Sequence, residues 1–142
     1  MVISKISILI SSISLALLSC QANARAVRDV IILESGLSAD SGDSNLSRAC
    51  KKFKPTAKQV KEYFSKAYPI PKRFAVHERY SACYATGTIK LDSFGKVKWV
   101  LSSGGTATIK WDEGEIVDVF NKKNDWYDPN ACTYGLSIEG EC

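Results

Sequence analysis

The chain reads as an α+β protein: a four-stranded antiparallel β-meander with one helix packed on its inner face, stabilised by disulfides, with room for an additional N-terminal strand. Three observations carry this. Apolar and polar residues alternate strictly through most of Ala82–Phe120. Three short loops ending in glycine interrupt that alternation, and Thr56–Tyr68 instead repeats its apolar residues at helical spacing.

In the meander, Ile89 and Leu91, then Val97, Trp99 and Leu101, then Ala107, Ile109 and Trp111 share one parity, while lysines and threonines take the other. A period of two suits a half-buried strand, whose successive side chains point to opposite faces. Ser93-Phe94-Gly95, Ser103-Gly104-Gly105 and Asp112-Glu113-Gly114 each fit a three-residue loop whose last residue is left-handed, a position glycine fills without steric cost. These loops predict a register in which Ile89 faces Trp99, Trp99 faces Ile109, Leu91 faces Val97 and Leu101 faces Ala107, with Val117 and Val119 inside and Asp118 outside. A one-residue slip would turn the apolar set into water, so the register is strongly specified. The same register makes Lys90, Lys98 and Lys110 neighbours on the outer face. Like charges opposite one another cost a few tenths of a kcal/mol up to about 1. A solvated face guarded by lysine accounts for the row, and so does a surface for an acidic protein or anionic envelope component.

Met1–Ala24 has the form of an export signal: Lys5, the apolar run Ile6–Leu18, then small residues ending Ala22-Asn23-Ala24. The run is too short to span a membrane. Leu17-Leu18-Ser19-Cys20 also resembles the bacterial lipobox, in which the cysteine is acylated, although Leu18 departs from the usual residue there. Cleavage after Ala24 is the preferred reading; the other leaves residues 1–19 as leader and a lipid on Cys20, the sole membrane attachment expected. Removal of 24 residues from 142 leaves 118, enough for one small domain. Its 18 basic and 15 acidic residues give net +3. Cys50, Cys83, Cys132 and Cys142 remain, an even number in an oxidising compartment and hence two disulfides. Of the three pairings, Cys50–Cys83 with Cys132–Cys142 is preferred. With no C-x-x-C and one histidine, neither a metal site nor any other cofactor is expected.

Residues 25–47 divide into an apolar run through Val27, Val30, Ile31, Ile32 and Leu33, compatible with a strand, and a flexible loop, Gly36–Asn45, rich in serine, glycine and aspartate. Residues 48–142 then form the single α+β domain. Its helix starts at Thr56, which has capping-box spacing to Gln59. Val60, Tyr63, Phe64, Ala67 and Tyr68 make one apolar face, Glu62 and Lys66 stand in the favourable i,i+4 order, and Pro69 and Pro71 end it. That face is the natural cover for the inner side of the meander, with Phe64 over Trp99.

Charge is uneven. Residues 48–80 hold ten basic and two acidic side chains, net +8, and residues 112–142 hold two basic and eight acidic, net −6. The two segments can neutralise each other, or create a surface that draws an anionic partner. In the C-terminal segment, Trp126, Tyr127 and Tyr134 lie among carboxylates and amides, a composition that suits either sugar stacking or the plug at one end of a small core.

No catalytic set assembles. His77 is the single histidine and stands in Phe74–Tyr80 without a nucleophile motif, so a small enzyme using it is the weakest reading. An exported, disulfide-bonded domain seldom meets nucleic acid, and no such partner is expected. What remains is a non-catalytic binding domain of the periplasm or the medium. In size, export and pinned loops it resembles bacterial envelope proteins that act by occlusion, such as periplasmic lysozyme inhibitors and immunity proteins, a likeness of architecture without a shared motif. The alternative is an outer-membrane lipoprotein held at Cys20 with no dedicated protein target.

Overall fold

The computed structural model describes residues 26–134; the leader, Cys20 and Cys142 lie outside them. The elements run β1 (Val27–Ser38), α1 (Ser44–Cys50), α2 (Ala57–Lys66), β2 (Tyr68–Pro69), a wide helical turn (Phe74–Glu78), β3 (Cys83–Leu91), β4 (Gly95–Ser102), β5 (Thr106–Lys110), β6 (Ile116–Phe120) and a short helical turn (Ala131–Thr133). The strands form one antiparallel sheet in the order β1-β3-β4-β5-β6-β2. The expected meander is its centre, β3 to β6. The additional strand is β1, on the edge beside β3, and the two-residue β2 closes the other edge against β6.

Two of the three hairpins have the expected register. Trp99 lies opposite Ile109 and Leu101 opposite Ala107, while Ile109 lies opposite Val117 and Ala107 opposite Val119. The β3–β4 pair is displaced by two residues: Ile89 faces Val97, Leu91 faces Gly95, and Trp99 faces Gly87 rather than Ile89. A shift of two keeps every side chain on its expected face. Two contacts favour it. A Cβ on Gly87 would lie 2.0 Å from the Ile31 carbonyl and 2.3 Å from the Trp99 ring, so the indole uses the space that only glycine leaves open. Asp92 is tied to the start of β1, through an ion pair with Arg28 and a 3.3 Å hydrogen bond donated by its backbone N–H to the Ala26 carbonyl, and so belongs to the turn.

α2 has the predicted capping box, with the Thr56 amide donating to Gln59 Oε1 at 2.8 Å. Its buried residues are Val60, Tyr63 and Phe64, and Lys66 pairs with Glu62 at 2.7 Å. The helix stops at Lys66. Ala67 is already extended, and Tyr68, expected on the apolar face, instead pairs with Phe120 in the sheet and is 53% exposed. Pro69 and Pro71 supply the reason, since the residue before a proline is pushed out of the helical region.

Phe64 sits 5.8 Å from Trp99, Tyr63 4.9 Å from Phe64 and 5.5 Å from Trp126, and Trp126 5.8 Å from Phe53. This line of rings runs through the core between α2 and the inner face of the sheet. The Tyr63 hydroxyl reaches the carbonyls of Gly105 at 3.0 Å and Val119 at 3.2 Å, fixing the helix over β5 and β6.

The stretch Gly36–Asn45 is not one loop. β1 continues through Gly36 to Ser38, and α1 begins at Ser44, capped by the Asp43 carboxylate on the amides of Asn45 and Leu46. The 47/48 boundary therefore falls within α1. Cys50, at the end of that helix, is bonded to Cys83 at the start of β3, as preferred from the sequence. Cys132 is also disulfide-bonded; Cys142, the partner expected for it, lies outside the described residues.

Candidate binding surfaces

The outer face of the sheet carries the lysines. Lys98 lies directly opposite Lys110. The two-residue shift separates Lys90 from Lys98, which faces Thr88, and places Lys90 opposite Lys96. The expected row of three is thus two like-charged cross-strand pairs, joined on β4 because Lys96 and Lys98 are two residues apart and share a face. None of the four takes part in an ion pair among the described residues, where the pairs are Arg28–Asp92 and Lys66–Glu62. Across five strands the central row reads Ile31, Thr88, Lys98, Lys110, Ile116. Its two isoleucines are 49% and 57% exposed. Farther along the same face Phe120 is covered by Phe74 of the wide turn, ring centres 5.0 Å apart, so the open part of the face is the part that bears the lysines.

The C-terminal aromatics separate into different environments. Trp126 is buried, packs on Phe53 and Tyr63, and donates its indole N–H to the Ser103 carbonyl at 2.9 Å. Tyr134 is buried as well: its hydroxyl donates to Asp128 Oδ2 at 2.7 Å and its ring lies 4.3 Å beneath the Arg79 guanidinium. Tyr127 is exposed, with Lys52 at 6.0 Å over its ring. Asp128 also accepts from Ser103 at 2.6 Å, Ser103 exchanges a 2.7 Å bond with Ser81, and Asn130 donates to Ser81 at 2.7 Å. This buried network ties the C-terminal loop to the β4–β5 turn. A cleft of about 560 Å³ beside it is lined by Arg79, Lys122, Trp126, Tyr127, Asp128 and Cys132, among others, of which Arg79, Lys122 and Cys132 are already engaged in interactions. Trp126 and Tyr134 are thus largely buried at this end of the core, Trp126 also lining the cleft, and Tyr127 is the exposed one of the three rings.

Burial pushes the Tyr63 hydroxyl well above the ordinary tyrosine value, and burial followed by the Asp128 carboxylate raises Tyr134. The unfolded chain therefore loses these two protons first. Their contribution is intact below about pH 10 and is lost as pH rises beyond it. Urea midpoints should hold between about pH 8 and 9 and fall toward pH 11, and Tyr134→Phe should make the fall shallower. An identical alkaline profile for that variant would count against the assignment.

A further cleft, of about 510 Å³, lies at the opposite end of the sheet and was not singled out from the sequence. Ser93, Phe94, Trp111, Glu113, Glu115 and Val117 line it. The Phe94 and Trp111 rings meet edge to face at 6.2 Å. The turn is held by the Gly114 amide on the Trp111 carbonyl and the Trp111 amide on the Glu115 carbonyl, both at 3.0 Å. The legible signal was topological: in a meander the first and third hairpin turns emerge at the same end, which brings Phe94 to the acidic turn after Trp111.

His77 is exposed on the wide turn. Among the described residues no group of three or more histidine, cysteine, aspartate or glutamate side chains is placed to hold a metal ion, and no helix is long and apolar enough to cross a membrane. The chain matches no protein-family model, no curated protein and no solved structure.

Proposed function

We propose that this chain is an exported, non-catalytic binding domain that engages an acidic protein surface through the outer face of its sheet. One observation carries the reading: the pairs Lys98–Lys110 and Lys90–Lys96 stand side by side, and none of the four lysines is in an ion pair among the described residues. Threonine would suit these strand positions and avoid the repulsion. The exposed isoleucines at the ends of the central row add apolar contact to the charge, the mixture that protein–protein surfaces use. Export follows from the leader and is checked by the mass of the native protein, which should begin at Arg25. An acylated Cys20 would give the lipoprotein form, and an intact Met1 form in the cytoplasm would remove export altogether.

The test of the surface is Lys98→Thr/Lys110→Thr, alone and combined with Lys90→Thr. Stability should stay level or rise by up to about 1 kcal/mol. Capture of the acidic partner from envelope extract should weaken, and the wild-type interaction should fade with salt as exposed charges are screened over about 8 Å at physiological ionic strength. A triple variant that captures the same partner as strongly as wild type reduces the lysines to a solvated face.

A further inference from the structure

We infer that the cleft between the β3–β4 and β5–β6 turns binds a small organic cation of the alkylammonium class. This site is separate from the lysine face and does not depend on it. Its volume, about 510 Å³, falls in the range of small-ligand clefts, roughly 300–1,000 Å³. Its walls supply two things that such a cation uses together. The first is aromatic surface: Trp111, half-buried against the core, and Phe94, 58% exposed, hold each other in an edge-to-face contact. Aromatic faces attract cations through the ring quadrupole, tryptophan most strongly. The second is uncompensated negative charge. Glu113 and Glu115 are exposed, and neither makes an ion pair or side-chain hydrogen bond among the described residues.

The arrangement selects by charge and by shape. Anions meet two carboxylates and no cation in the lining. A small hydrated metal ion finds carboxylates on either side of Gly114 but no compact ligand set, and gains nothing from the rings. An alkylammonium offers both a positive charge and methyl or methylene groups that pack on Trp111 and Phe94. The ladder also places Lys96 and Lys110 on the opposite face of the sheet from Trp111, so their ammonium groups are not part of the lining.

Choline is the probe, and 3,3-dimethylbutan-1-ol, of the same shape without the charge, is its control. Choline should bind saturably by calorimetry and shift the indole N–H resonance of Trp111 while leaving those of Trp99 and Trp126 in place. The neutral isostere should bind at least about tenfold more weakly, as loss of a cation–aromatic contact and its charge partners implies. Glu113→Gln/Glu115→Gln should weaken choline to a similar degree at unchanged melting temperature. Lys98→Thr/Lys110→Thr should bind choline at least as well as wild type, which separates this site from the lysine face. Equal affinity for choline and its isostere, an unaffected glutamine variant, or no saturable shift at Trp111 would each overturn the inference.

Discussion

Truncating Trp99 to alanine should cost about 3–5 kcal/mol and lower Tm by well over about 10 °C. The indole is 2% exposed. It lies between Gly87 on β3 and Ile109 on β5 with the Phe64 ring of α2 above it, so its removal opens a cavity where sheet and helix meet. Gly87, directly opposite on β3, has no side chain with which to refill that space. Trp99→Phe should cost much less than the area lost implies, since the Trp99 indole N–H is buried without a hydrogen-bond partner among the described residues, and replacing it removes an unsatisfied donor. Trp126→Phe is the contrasting case: it deletes the bond to the Ser103 carbonyl and should cost about 1 kcal/mol more than Trp99→Phe. Tyr127→Ala, at an exposed ring, should stay within about 0.5 kcal/mol of wild type. A Trp99→Ala protein that melts with the wild type would overturn both the register and the docking of α2.

Where local chemistry decides the structure, the sequence is a good guide. The glycine-ended turns at Gly105 and Gly114 have φ of +86° and +93°, and the registers that follow from them are correct. The Thr56–Gln59 capping box marks the start of α2 to the residue. Where a distant segment decides, local reading fails. The β3–β4 register depends on Arg28 and Ala26 holding Asp92, and on the Trp99 ring lying over Gly87, contacts that alternation does not encode. α1 spans seven residues, too short for helical periodicity to emerge, although Asp43 marks its start. Trp126 and Tyr127 are adjacent and equally aromatic, yet one is core and the other surface, because Phe53, Tyr63 and Ser103 make the pocket that receives Trp126. The aromatic and acidic cleft required two hairpin tips to be placed together, a consequence of strand order rather than of either tip.

Loss of the Cys50–Cys83 bridge is the other large effect expected. The bridge closes a segment of 33 residues that contains α2, β2 and the wide turn. Chain-entropy arguments put the stabilisation from closing such a loop at about 3–4 kcal/mol. It also joins the end of α1 to the first residue of β3, and so holds one helix to the sheet independently of the core between α2 and the strands. Cys50→Ala/Cys83→Ala should therefore lower the urea midpoint by an amount comparable to Trp99→Ala while leaving the aromatic contacts of Trp99 in place, visible as unchanged tryptophan bands at the long-wavelength end of the near-ultraviolet circular dichroism, beyond the disulfide's own contribution. Both sulfurs belong to fully buried residues. Reductant added to the native protein should accordingly act slowly and accelerate in mild urea, as opening of the fold exposes them. Thiol titration of denatured, unreduced protein should find no free sulfhydryl at Cys50, Cys83 or Cys132. A double variant as stable as wild type, or two free thiols at Cys50 and Cys83, would show that the helix–strand junction is held by packing alone.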